Sequence, residues 1–195
     1  MKRGAAGHVD ETPKAGDARL ANARTSIIGG RRHAMDGAVR EAESRGYHVI
    51  RVDDAVVGEA RLAGPSHLRA SVARAAGLGR PACIVSSGET TVRVTGDGLG
   101  GRNQEFALAC AAPVSSIGAS AMLASIGTDG VDGPTDAAGA IVDTTTSERA
   151  RGLGLRPETF LERNDAYRFF APLGDLVLTG PTGTNVGDLQ IILLA

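Results

Sequence analysis

Residues 86–105 read SSGETTVRVTGDGLGGRNQE, and the rest of the chain is organised around them. They hold an acidic residue after an apolar strand, then a glycine-rich loop, then a polar cluster that opens a helix. Residues 82–86 make the strand. Gly88-Glu89 reads as a turn, and residues 90–94, TTVRV, return as a strand of β-branched residues. The loop at 95–101 leads into a helix expected from about Arg102 to Ala112, where Pro113 stops it. Two later loops share this character: residues 127–136, GTDGVDGPTD, and residues 179–188, TGPTGTNVGD. The three loops are expected to meet at one site for an anionic ligand, with phosphoryl transfer as its chemistry.

Upstream, residues 25–28 form a short β-like run closed by Gly29-Gly30. A helix follows, with Ala34, Met35, Ala38, Val39 and Ala42 on one face and Arg40, Glu41 and Arg45 on the other. Gly46 caps it and residues 47–52 are the next strand, which makes a β-α-β unit with parallel strands. Residues 53–65 read as a loop carrying Gly58-Glu59-Ala60-Arg61. Residues 66–76 read as a second helix with Ser66 at its N-cap. Residues 1–24 are polar and aperiodic, and are expected to be a disordered leader. Downstream come a strand at 120–126, a small-residue segment at 137–142, and helices at 146–153 and 157–163. The aromatic run Tyr167, Phe169, Phe170 and strands at 176–179 and 189–194 complete the chain. The whole is α/β, a mixed β-sheet sandwiched by helices.

The composition excludes several functions. A net charge of -1 offers no basic surface for nucleic acid, and aromatics at 3% offer no stacking platform. No apolar run reaches the ~18 residues of a membrane span, and no apolar signal core opens the chain, so a cytoplasmic protein is expected. Cys83 and Cys110 sit among apolar residues as small buried thiols. The four histidines show no ligand spacing.

Residues 96–101, GDGLGG, match the dinucleotide pattern G-x-G-x-x-G, but no acidic residue follows near 119–123 to hold a ribose. The broader reading is an anion site at the loop and the helix N-terminus, with Gly98, Gly101 and Asn103 at hand. Arg102 stands where the helix dipole disfavours a cation, so it either grips an anion or pairs with Glu105 or Glu89. Asp129, Asp132 and Asp136 put three carboxylates in eight residues, either as a Mg²⁺ site or as a solvated turn. Thr182, Thr184 and Asn185 offer hydroxyl and amide donors for an anion, or belong to a plain hairpin connection.

The pieces SSGETTV, GGRNQE, GTDGVDGPTDAAGAIVD, NDAYRFF and TGPTGTNVGDL together resemble the C-terminal, MOFRL-type domain of the glycerate 2-kinase family. Members of that family also go by the name hydroxypyruvate reductase, and hydride transfer to hydroxypyruvate, signalled by the glycine pattern at 96–101, stands as the alternative activity. The resemblance is firm over residues 81–195. Residues 25–80 resemble the end of the family's N-terminal, Rossmann-like domain. It implies ATP-dependent phosphorylation of D-glycerate to 2-phosphoglycerate, with ATP and Mg²⁺ as cofactors. It gives Arg102 the place of the family's active-site arginine. Glu89, Asn103, Asp129, Asp132 and Asn185 match other motif positions; Glu89 and Asp129 are assigned to catalysis, and Asp129 and Asp132 to the metal. Ser87 departs from the family's usual glycine. Family members are longer, and the part without a counterpart here carries a catalytic lysine; Lys2 and Lys14 lie in the leader. The chain is therefore expected to act with a separately encoded N-terminal domain, as a homo-dimer, or as a non-catalytic fragment.

Overall fold

A computed structural model describes Gly7 and residues 12–195. Residues 1–6 and 8–11 of the expected leader lie outside the described residues; of the rest, Ala18–Leu20 forms a short 3-10 turn. Six strands form one sheet in the order β1-β2-β6-β3-β4-β5. They are β1 (His48–Glu59), β2 (Ala82–Thr91), β3 (Ala121–Gly127), β4 (Gly139–Asp143), β5 (Leu176–Val177) and β6 (Asp188–Leu194). Only β1 and β2 run parallel; every other pairing is antiparallel. The helices are α1 (Arg31–Ser44), α2 (Ala60–Arg74), α3 (Arg102–Ser115), α4 (Thr146–Gly152), α5 (Pro157–Glu162) and α6 (Ala166–Phe170). Among the described residues no helix is long and apolar enough to cross a membrane.

Alternation along the strands sends side chains to two faces, and each face has its own apolar cluster. Ile84, Leu123, Val142, Ile192 and Leu194 meet Leu68 of α2 and Phe106, Leu108 and Cys110 of α3. On the other face Cys83 and Val85 meet Met35 and Ala42 of α1, with Leu189, Ile191 and Leu193 packed alongside. The sheet is thus covered by helices on both sides, as the sequence implies. Burial pushes the Cys83 thiol up to about 11 and the Cys110 thiol higher still, so both are inert apolar fillers.

Several boundaries differ from the sequence reading. Residues 25–28 form no strand, and Ile27 and Ile28 stand exposed. The parallel β-α-β unit is instead β1-α2-β2. β1 continues through 53–59, with a register shift between Val52 and Val56, and α2 begins at Ala60. Pro65 sits inside α2, so Ser66 is not its cap. No turn forms at Gly88-Glu89. β2 runs straight through, because Gly88 pairs with Val56 on one side and Asp188 on the other. A Cβ at Gly88 would overlap the Val56 carbonyl, so this glycine serves close strand approach rather than chain reversal. α3 carries Pro113 inside its last turn and ends at Ser115. β5 and β6 are not neighbours: β5 is an edge strand on β4, and β6 lies between β2 and β3, so residues 178–187 are a crossover and not a hairpin.

Behind β2 lies a half-buried polar contact. His67 Nε2 of α2 sits 2.8 Å from Ser86 Oγ and 3.4 Å from Ser71 Oγ. Burial, helped by nearby Arg74, pushes the His67 pKa from 6.5 down to about 4. The native ring is therefore neutral at pH 7. Below pH 6.5 the unfolded chain binds the extra proton, so this contribution is complete above pH 6.5 and lost as pH falls toward 4. Between pH 7 and pH 4.5 the loss is about 2–3 kcal/mol. Urea midpoints at the two pH values should therefore differ less in His67→Gln than in the unaltered chain.

Candidate functional site

β2 and β3 end on the same side of the sheet, where β6 begins. Asp188, the first residue of β6, pairs with Gly88 on β2 and Gly127 on β3. The three loops singled out in the sequence meet there. α/β proteins place ligands at carboxyl ends of strands.

A cleft of about 800 Å³ opens beside this row. Its wall includes Glu89 and Thr91 at the end of β2, Val92 and Val94 just after it, Gly98, Gly100, Gly101 and Arg102 at the mouth of α3, and Asp132, Pro134 and Asn164 from later loops. Of the expected site residues, Glu89, Gly98, Gly101, Arg102 and Asp132 thus share one cleft. Asp129, Thr182, Thr184 and Asn185 do not line it; they form an adjoining pair of loops. There Thr182 N donates to the Asp129 carbonyl at 3.1 Å, Asn185 Nδ2 donates to Asp129 Oδ2 at 3.3 Å, and Thr128 Oγ1 donates to the Gly187 carbonyl at 2.7 Å.

Arg102 is held by a carboxylate that the sequence reading did not assign. Its Nε donates to Asp188 Oδ2 at 2.7 Å and its Nη2 to Asp188 Oδ1 at 3.0 Å. Its Nη1 lies 3.7 Å from Glu89 Oε1. The Asp188 hydrogen bonds hold the guanidinium firmly protonated. Glu105 is not its partner. Glu105 instead receives Arg61 Nε at 2.9 Å and Nη2 at 3.1 Å, which gives a role to the Arg61 of residues 58–61.

The glycine loop is not an open cradle of N–H groups. Asn164, in the left-handed region at φ 54°, accepts from Thr95 N at 2.7 Å and Gly96 N at 2.9 Å. Its Nδ2 donates to Glu105 Oε2 at 2.9 Å. Gly98 N donates to the Arg163 carbonyl and Leu99 N to Asp165 Oδ1, each at 2.8 Å. Gly98 is therefore a wall residue whose N–H is already bonded. Among the described residues the N–H groups of Gly100, Gly101 and Arg102 have no protein partner. These three residues, not the whole loop, bring unpartnered N–H groups to the cleft wall.

Asp132 and Asn103 also take roles other than those expected. The Asp132 carboxylate is buried and caps α3 from a distant loop. It accepts from Asn103 N at 3.0 Å, Gln104 N at 2.9 Å and Asn103 Nδ2 at 3.3 Å. Burial raises its pKa despite these donors. Asn103 is buried too, its Oδ1 accepting from Ser125 Oγ at 2.6 Å, so its side chain reaches no ligand. Gly101 lies against Asp132, and a Cβ there would overlap the carboxyl group. Asp129 is half-buried and accepts from Val131 N and Asn185 Nδ2. Among the described residues no three His, Cys, Asp or Glu side chains gather as a metal cage.

Asp188 and Asn164 were legible only as members of the quoted stretches TGPTGTNVGDL and NDAYRFF. Nothing in their spacing announces partners 86 and 68 positions away.

The MOFRL family profile matches residues 82–188, which covers β2 to β5, the first residue of β6 and every loop of the site. The chain belongs to the MOFRL family. It is similar to the D-glycerate 2-kinase of Thermotoga maritima, 40% identical over 189 residues, which is 95% of this chain and 44% of that protein. It is similar to the glycerate 2-kinase of Pyrococcus horikoshii, 37% identical over 199 residues, all of this chain and 44% of that one. The crystal structure of the Thermotoga maritima glycerate kinase superposes with a TM-score of 0.82 at 39% identity, covering 88% of this chain and 42% of that one. This MOFRL chain thus spans less than half the length of these relatives.

Proposed function

We propose that this MOFRL chain supplies the phosphoryl-handling half of a glycerate 2-kinase, which transfers the γ-phosphoryl group of ATP to the 2-hydroxyl of D-glycerate. One observation carries the reading: the Arg102 guanidinium and the unpartnered N–H groups of Gly100, Gly101 and Arg102 stand side by side on the wall of one cleft. Such transfers depend on positioning and charge neutralisation rather than covalent chemistry. The three N–H groups would bind phosphate oxygens at the N-terminus of α3. Arg102 Nη1, the end that faces away from Asp188, would stabilise the transferring group or the glycerate carboxylate.

Charge in the cleft favours a ligand that brings its own cation. Arg102 is balanced by Asp188, and Arg61 by Glu105, while Glu89 is exposed with only Arg102 near it. Excess negative charge there would disfavour bare ATP. Mg²⁺ would neutralise phosphate charge there, and one or two protein carboxylates suffice to hold it. Glu89 on the cleft wall, or Asp129 on the adjoining loop, would hold it. Asp132, already engaged by three donors, would not. Glu89, on the cleft wall beside Arg102, would equally serve as the base for the glycerate hydroxyl. Thr182, Thr184 and Asn185 would order the Asp129 loop beside the ligand. Val57 and Val94, exposed on the cleft wall, suit a covering element from a separately encoded domain or a second copy. The test is a chimera in which this chain replaces the matching part of the Thermotoga maritima relative. It should convert D-glycerate, ATP and Mg²⁺ to 2-phosphoglycerate.

A further inference from the structure

We propose that Asp188 is the positioning residue that aims Arg102 into the cleft. The inference rests on the phosphoryl-handling reading above, and assigns a residue which that reading leaves unexplained. Asp188 is a carboxylate of 1% exposure at the mouth of the site. Its two strand partners are Gly88 and Gly127. No side chain flanks it along the row, so the arginine can reach down between the strands. Both carboxylate oxygens are then taken by one edge of the guanidinium, Nε to Oδ2 and Nη2 to Oδ1. This fork fixes the guanidinium plane as well as its position. The opposite edge, with Nη1, is left for an anion.

The same contact ties three segments together. Arg102 opens α3, Asp188 opens β6, and Gly187 before it accepts from Thr128 of the β3 loop. An arginine held this way loses little freedom when it meets a ligand, because its rotamer is already chosen. A purely structural pair would need neither a half-exposed arginine nor an Nη1 turned away from Asp188, with the exposed Glu89 3.7 Å from it.

The test uses side-chain ¹H–¹⁵N NMR of the full chain with inorganic phosphate as probe. In the unaltered chain the Arg102 Nε–H should exchange slowly, and its Nη groups should give separate signals, because rotation about Cζ–Nε is hindered. In Asp188→Asn that signature should collapse to the averaged pattern of a free arginine, with the backbone spectrum of β2 and β3 retained. Phosphate binding should weaken about tenfold or more, and Asp188→Glu should restore part of both. If Asp188→Asn does not fold, the unaltered chain decides: averaged Nη signals there overturn the proposal. An Arg102 signature that survives Asp188→Asn also overturns it. A normal signature without any phosphate binding leaves the positioning intact and contradicts the phosphoryl-handling reading instead.

Discussion

Arg102→Ala should destabilise the chain by about 3 kcal/mol, the low end of the cost of stranding one member of a buried ion pair, because Arg102 itself is half-exposed. The Asp188 side chain is fully enclosed, and both of its oxygens depend on Arg102. Its strand neighbours Gly88 and Gly127 bring no side-chain donor to replace the lost ones. Arg102→Lys should keep part of the stability, since a point charge remains but cannot fork. The double variant Arg102→Ala with Asp188→Ala should be more stable than Arg102→Ala alone, because it removes the stranded charge. Urea midpoints of the four chains check all three statements. A midpoint for Arg102→Ala close to that of the unaltered chain would mean that water reaches Asp188 freely.

Asn164→Ala should cost about 3 kcal/mol and loosen the cleft at the same time. Three effects add. Thr95 N and Gly96 N lose their acceptor, Glu105 loses a donor, and a residue with a Cβ and no local hydrogen bond must hold φ 54°. Leaving buried polar groups unpaired costs roughly 1–3 kcal/mol, and the left-handed backbone costs about 1 kcal/mol for alanine. Asn164→Gly should recover the backbone part alone. Asn164→Asp keeps the acceptor and tolerates the left-handed backbone, yet sets a second carboxylate beside Glu105. Its stability should fall between the two. Amide exchange at Thr95 and Gly96 reports the loosening directly, and protection unchanged in Asn164→Ala would contradict the stapling role.

The site was more legible than the strand pattern around it. Loops at strand ends, rich in Gly, Asp and Thr, pointed to a meeting place, and Glu89, Gly101 and Arg102 do share the cleft. What sequence reading missed is long-range. Asp132 reads as one carboxylate of an acidic turn, yet it caps a helix that begins 30 positions earlier. The loop at 96–101 reads as a phosphate cradle, but Asn164 and Asp165 fill most of it from the other end of the domain. The strand errors share a cause. Glycine and proline were read as local punctuation, whereas Gly88 answers the Val56 carbonyl on a neighbouring strand and Pro65 is carried within a helix packed on α3. β1 reads as a shorter strand because Asp53 and Asp54 suggest a loop, although both are exposed strand residues at its register shift. Polar side chains at an edge strand carry no signal of where pairing stops.

Phosphorus NMR of the chimera, supplied with D-glycerate, ATP and Mg²⁺, tests the central claim most directly. A growing 2-phosphoglycerate signal, absent when Mg²⁺ is withheld, is the predicted result. A chimera that folds and binds ATP yet leaves D-glycerate unphosphorylated would contradict it.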